Sequence, residues 1–176
     1  MARIAHDPEE IIAVVDEKDN IIGQAPRDEV HEKNLLHREA GVWLVTPDRR
    51  FLLQKRADNN LWASSAAGHF PAEESYVQGV LREAKEELGI ILEEQQLAKV
   101  FHGIIGPSHH RRFIKIFVTI QDNPIDIFRP DPEEVSEVKY FTIEEMDELI
   151  KKDLANNSVK AARDLIIPFL DKNRKL

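Results

Sequence analysis

Glu83, Glu86 and Glu87 stand three and four residues apart in the run Arg82-Glu83-Ala84-Lys85-Glu86-Glu87-Leu88-Gly89. On a helix this spacing brings three carboxylates to one side. Without a cation they repel one another, and Arg82 and Lys85 point elsewhere on the wheel and offset that only in part. A hard divalent cation resolves the repulsion, because Mg²⁺ takes oxygen ligands and keeps waters and phosphate oxygens in its shell. Such an ion can neutralise a diphosphate and activate a water. Gly79, one turn before Glu83, is expected to let a metal or phosphate approach the helix, at a cost in helix propensity of about 1 kcal/mol relative to alanine. Gly68, in the loop before the helix, is expected to offer its carbonyl oxygen. The bland alternative is a solvated acidic face, which Glu86-Glu87 alone would favour.

The helix itself is well marked. Ser75 with Gln78 three residues on makes a capping box. Val77, Val80, Leu81, Ala84 and Leu88 recur at helical spacing and form the expected buried stripe. At 100° per residue the three glutamates centre about 120° from that stripe. Gly89 ends the helix in the C′ position.

Around it the chain alternates apolar runs with turn chemistry. Strands are expected over 10–16 and 21–25 as a hairpin, over 39–45 and 51–56 as another, and then over 97–104, 112–120 and 135–141. Residues 27–37 read as loop with a helical turn, and 122–134, acidic and proline-bearing, as loop. Thr142 with Glu145 opens a helix carrying Ile143, Met146, Leu149 and Ile150. Ser158 is read as the cap of a last helix, which Pro168 should kink or end. Strands joined by hairpins, a central helix and a C-terminal helical pair over 142–171 indicate an α/β fold with a mixed sheet covered by helices.

The chain has 176 residues, which suits a single domain over 1–176. No apolar run approaches the roughly 18 residues that span a bilayer, and the N-terminus lacks a signal-peptide core, so no membrane association and a cytoplasmic location are expected. Zero cysteines exclude disulfides, thiolate metal sites and thiol nucleophiles. A net charge of -8 argues against a general nucleic-acid surface. An acidic enzyme acting on phosphates must then recruit cations or concentrate its few arginines. Arg111 and Arg112, with His109 and His110, form the densest basic cluster, and Arg56 lies near the end of a strand leading to the central stretch. All three arginines are candidate phosphate ligands, a solvated loop being the alternative for the pair. Trp62, Phe70 and Tyr76 could stack a nucleobase, although aromatics so placed more often pack a core.

Written out, Gly68, five residues, Glu74, seven residues, then Arg82-Glu83-Ala84-Lys85-Glu86-Glu87-Leu88-Gly89-Ile90 resembles the signature of the Nudix hydrolases at every fixed position. Ala84 is the one departure, small where bulk is preferred. The resemblance implies an α/β/α sandwich with a central mixed sheet. It also implies Mg²⁺- or Mn²⁺-dependent hydrolysis of a small molecule containing a diphosphate. By position, Glu83, Glu86 and Glu87 would be metal ligands with the Gly68 carbonyl, and Arg82 would orient the glutamates. Glu74 would stabilise the loop–helix junction. A general base often lies outside the box in this family, and Glu134 is the candidate. A homodimer is compatible with the resemblance.

The hairpin EIIAVVDEKDNIIGQAPR, His31, Leu35-Leu36-His37-Arg38, GVWLV, Trp62 and Gly68-His69 resemble more narrowly the isopentenyl-diphosphate isomerase-like branch. Isomerases place a cysteine just before the Gly-His pair, where this chain has Ala63-Ser64-Ser65-Ala66-Ala67. They also carry Glu-x-Glu in the strand after the box, where this chain reads His109-His110-Arg111-Arg112-Phe113. His31, His37 and His69 match isomerase metal-site histidines by position. Without the glutamates, the expectation is that they are ordinary loop and strand-edge residues. Three readings remain: hydrolysis of a diphosphate bond, which the intact glutamates favour; isomerisation, which the missing cysteine opposes; and a non-catalytic module that senses a nucleotide.

Overall fold

Strand β3, His37–Val45, is where the sheet converges. It pairs antiparallel with β1 (Ile11–Val15) at its start, with β6 (Ala66–Gly68) in its middle and with β4 (Phe51–Arg56) at its end. Along its whole length it pairs in parallel with β8 (Arg112–Ile120). This explains the near-continuous apolar run GVWLV, because a strand paired on both sides and covered on both faces needs no polar alternation. The remaining strands are β2 (Ile21–Pro26), β5 (Trp62–Ala63), β7 (Ala98–Ile105) and β9 (Val135–Phe141), giving a nine-stranded mixed sheet. The computed structural model describes residues 7–108 and 110–173, and these statements concern them.

Helices cover both faces. Helix α2 (Tyr76–Leu88) packs Val80, Ala84 and Leu88 on Ala40, Val42, Leu44 and Leu52. On the other face, Met146 of α3 (Ile143–Lys151) and Val159, Ile166 and Leu170 of α4 (Asn157–Lys172) pack on Trp43, Val45, Phe51 and Leu53. The result is the expected α/β/α sandwich. Alternate residues of β3 serve the two layers, as a period of two requires. Leu44, Leu52, Leu53 and Leu88 are at most 1% exposed, and burying each contributes about 1.5–3 kcal/mol.

Three local features correct or sharpen the sequence reading. Residues 27–32 form a helix, α1 (Arg27–Glu32), although they carry no helical periodicity. Its single anchor is the fully buried Val30, and the Arg27 N–H donates to the Glu10 carbonyl at 2.9 Å. The cap of α4 is Asn156, whose side chain accepts from Val159 N, while the Ser158 hydroxyl donates to that same oxygen at 2.6 Å. Pro168 does not end α4, which runs on to Lys172. The buried Leu170 beyond it holds the last turn against the sheet.

The β1–β2 turn is pinned by Asp19. This residue sits at φ 65°, and its carboxylate accepts from Arg38 Nε at 2.7 Å and Tyr76 OH at 3.0 Å, with His102 Nε2 at 2.9 Å. One turn residue thus ties the hairpin to β3, α2 and β7. No described helix is long and apolar enough to cross a membrane.

Candidate active site

Both signals at the ends of α2 are realised. Ser75 and Gln78 cap each other reciprocally, and Gly89 adopts φ 68° in the left-handed region. The faces differ from the wheel's simple reading, because Glu83 and Glu87 are themselves buried, at 8% and 2% exposure. They lie against β6 rather than on a solvated face. The Glu87 carboxylate accepts from the Ala67 N–H at 2.9 Å. The Glu83 carboxylate fills the space beside Gly68, where an ideal Cβ would stand 2.6 Å from Glu83 Cδ.

Arg82 binds the group together. Its Nη1 donates to Glu83 Oε1 at 2.8 Å and to Glu86 Oε2 at 2.7 Å. Its Nη2 donates to the His69 carbonyl at 3.1 Å, and its Nε lies 3.2 Å from Glu74 Oε2. One planar guanidinium therefore ties the entering loop to two of the three glutamates, as its fork geometry permits. Burial, and then the neighbouring charge of Glu83, push the Glu87 carboxyl well above the ordinary range, against the pull of the Gln54 amide and the Ala67 N–H. Two buried carboxylates in mutual repulsion, a backbone cleared of any Cβ and all-oxygen donors make a set that a hard divalent cation fits. Gly79 has a different task from the expected one. A Cβ there would meet the Phe70 ring at 2.7 Å, so Gly79 makes room for a core aromatic rather than for a metal.

The charges around the box come from several elements. Glu134 follows the turn before β9, and its carbonyl accepts from Ala57 N at 2.8 Å. Burial, then the charges of Asp131 and Glu86, raise its carboxyl, while Arg56 and Arg27 lower it. Arg56 forks onto Asp58 at 2.7 and 3.0 Å and feels Glu87 and Glu134. Arg27, which the sequence did not single out, is half-buried at the start of α1 and feels first Glu83 among charged neighbours. Arg111 is exposed and reaches Glu17, 3.3 Å away in the β1–β2 turn. Arg112 Nε lies 2.5 Å from Glu39 Oε2, close for a charge pair but off the line of a hydrogen bond. It therefore stands in a side-chain pair at the start of β8, not in a free basic loop. His109 lies outside the described residues. Trp62, Phe70 and Tyr76 are all buried in the two cores, so none is free to stack a base.

His31, His37 and His69, expected to be ordinary loop and strand-edge residues, come together in space. His31 from α1, His37 from β3 and His69 after β6 offer ring nitrogens that all lie within 4.8 Å of one another. His69 Nε2 is 3.0 Å from His37 Nε2 and 3.2 Å from His31 Nε2. Two nitrogens in one tetrahedral zinc shell stand roughly 3.3 Å apart at ordinary Zn–N lengths. His37 Nδ1 lies 2.8 Å from the Leu35 carbonyl and must donate to it, which leaves Nε2 as a lone pair aimed at the cluster. Burial, with the Arg112 charge acting on all three, lowers each histidine, His37 to about 4. Three neutral imidazoles converging in this way fit a borderline divalent ion. The sequence carried the signal in the positional match, but separations of 6 and 32 residues hide a convergence that only β3 and β6 pairing creates.

The NUDIX domain family matches residues 35–165, which hold the box, β3 and β8. An uncharacterized Nudix hydrolase of Clostridium acetobutylicum is 33% identical over 152 residues, covering 78% of this chain and 72% of that protein. A prenyl-diphosphate phosphatase of Methanosarcina mazei is 29% identical, covering 89% of this chain and 93% of that one. An isopentenyl-diphosphate Δ-isomerase of Serratia proteamaculans is 31% identical over 65% of this chain and 68% of its own. Among solved structures, DR0079 from Deinococcus radiodurans superposes with a TM-score of 0.71 at 19% identity, over 89% of this chain and 99% of its own, a likeness of fold. With two of the glutamates braced on one guanidinium, the cleared glycine beside them and a domain match across three-quarters of its length, the chain belongs to the Nudix hydrolases.

Proposed function

We propose that this chain hydrolyses the diphosphate linkage of a small molecule with a divalent cation, Mg²⁺ or Mn²⁺, held by Glu83, Glu86, Glu87 and the Gly68 carbonyl. The observation that carries the reading is the burial of the Glu83 and Glu87 carboxylates against Gly68 and Ala67 N–H, a repulsive pair that a cation relieves. When bound, the cation supplies neutralisation of the diphosphate and a more acidic water. The protein groups do the rest. Arg82 keeps Glu83 and Glu86 in place. Arg56 and Arg27 stand where their charges meet the box glutamates and Glu134, and they hold the substrate phosphates. Glu134, its carboxyl raised by burial, takes the proton from the attacking water.

The burial of Trp62, Phe70 and Tyr76 removes the stacking partners that a nucleobase would use. A relative matched over 89% of this chain and 93% of its own is called a prenyl-diphosphate phosphatase. A prenyl diphosphate is therefore the first substrate to try, ahead of dinucleotides and sugar nucleotides. Two readings compete: isomerisation, which the alanine at position 67 opposes, and ligand sensing without turnover. A second divalent ion, on His31, His37 and His69, is favoured by the convergence of their ring nitrogens.

The test is release of phosphate, or of the nucleotide, from a panel of prenyl diphosphates, nucleoside diphosphate derivatives and dinucleotides, with Mg²⁺, with Mn²⁺ and with EDTA. Hydrolysis that EDTA abolishes is expected. Turnover that persists in excess EDTA, or conversion of isopentenyl to dimethylallyl diphosphate without hydrolysis, would overturn the reading.

A further inference from the structure

Gln54 is a polar residue in the middle of an apolar stretch. It lies on β4 between the paired residues Ala63 and Val138, follows the fully buried Leu52 and Leu53, and is itself 2% exposed. Two residues after Leu52, which packs on α2, it alternates onto the same face of the sheet as that helix, and its amide works there against the upward shift of the Glu87 carboxyl. Its Oε1 is buried without a hydrogen-bond partner among the described residues. Leaving a buried amide oxygen unpaired is costly, and an apolar side chain of the same volume would fill the site without that penalty. Packing therefore does not account for a glutamine here.

We propose that Gln54 is a positioning residue for the box: its amide braces Glu87, and its Oε1 accepts a hydrogen bond from a water that enters with the divalent cation. This rests on the box holding a cation, as proposed above. The brace comes from the sheet, whereas Arg82 lies on the helix itself and is bonded to Glu83 and Glu86. The three glutamates thus divide between two supports: Arg82 for Glu83 and Glu86, and the Ala67 N–H with Gln54 for Glu87. Glu87 is the most deeply buried of them and the least able to find its orientation from solvent.

The experiment is thermal unfolding of the full chain, with and without Mg²⁺, for wild type and Gln54→Met, a swap that conserves volume and removes both polar atoms. The Mg²⁺ dependence of Tm gives the apparent affinity without any need for substrate. Two results are expected together in Gln54→Met: a metal-free Tm equal to or above that of wild type, and Mg²⁺ affinity about tenfold weaker. Unchanged Mg²⁺ affinity overturns the inference. So does a lowered metal-free Tm, which would make the amide a support of the fold. If Gln54→Met does not fold, Gln54→Asn, which withdraws the amide by one methylene, is read by its Mg²⁺ affinity alone. A wild-type chain whose Tm does not respond to Mg²⁺ would instead defeat the metal reading of the box, so the two failures are distinguishable.

Discussion

Glu83 occupies the volume that a side chain at Gly68 would need. The glycine is thus part of the carboxylate's seat, and its value lies in the missing Cβ rather than in backbone freedom. Gly68→Ala should displace the Glu83 carboxylate by about an ångström, and errors of that size cost about 10²-fold in rate. Steady-state kinetics with circular dichroism as a control of folding checks this. Wild-type turnover in a folded Gly68→Ala protein would refute it.

Glu87 is buried, and burial first, then the charge of Glu83, raises its carboxyl. Glu87→Gln should therefore leave the metal-free chain at least as stable as wild type while lowering turnover by orders of magnitude. Glu86→Gln should lose turnover similarly but gain no stability, because Glu86 is half-exposed and already paired with Arg82. Urea unfolding in EDTA, alongside rates in Mg²⁺, separates the two variants. Equal stabilities for both would count against the burial argument.

Arg82 neutralises two glutamates and ties the entering loop to the helix at Glu74. Arg82→Ala should destabilise the metal-free chain by about 3 kcal/mol, the usual penalty for stranding a buried charge. Added Mg²⁺ should restore more stability to this variant than to wild type, since it replaces the missing positive charge. A smaller Mg²⁺ response than in wild type would contradict that account.

Gly79 faces Phe70. Gly79→Ala gains helix propensity, about 1 kcal/mol, but overpacks the ring at a cost of about 1–3 kcal/mol. A net loss of stability is expected, with the Mg²⁺ dependence of the rate unchanged. A shift in metal affinity would return Gly79 to the site.

The histidine cluster makes the metal-free fold sensitive to acid. His37 titrates at about 4 in the fold against 6.5 when unfolded. Between those values the unfolded chain binds the extra proton, so stability falls as pH drops below 6.5 and is fully lost from this source below about 4. The contribution is about 3 kcal/mol at neutral pH. Denaturant unfolding in EDTA across pH 4–7, for wild type and His37→Gln, should show a shallower slope in the variant.

The box was legible because its elements are local. The Ser75 cap, the apolar stripe and Gly89 are all within one helix, and the three glutamates lie within five residues of one another. What the sequence hid depends on distant pairing. Arg27 reaches the site on α1, a six-residue helix held by one valine and without periodicity. Arg112 reads as the first residue of a strand within a basic cluster, but its alignment with His37 and its contact with Glu39 appear only once β8 pairs with β3. Gly79 looked like space for a metal because a wheel shows direction but not the ring of Phe70 that fills it. The aromatics near the box were readable as core or stackers, and burial settles them as core.

The parallel pairing of β3 with β8 joins residues 75 positions apart, His37 with Arg112. Contacts of that range form late, because the chain must close a long loop before any of them is rewarded. The box helix, with its local caps, can assemble early. The histidine cluster depends on β3, and Arg112 is brought beside it only by β8. During refolding, the helix should therefore exist before the site around it does, so that helical signal recovers ahead of activity.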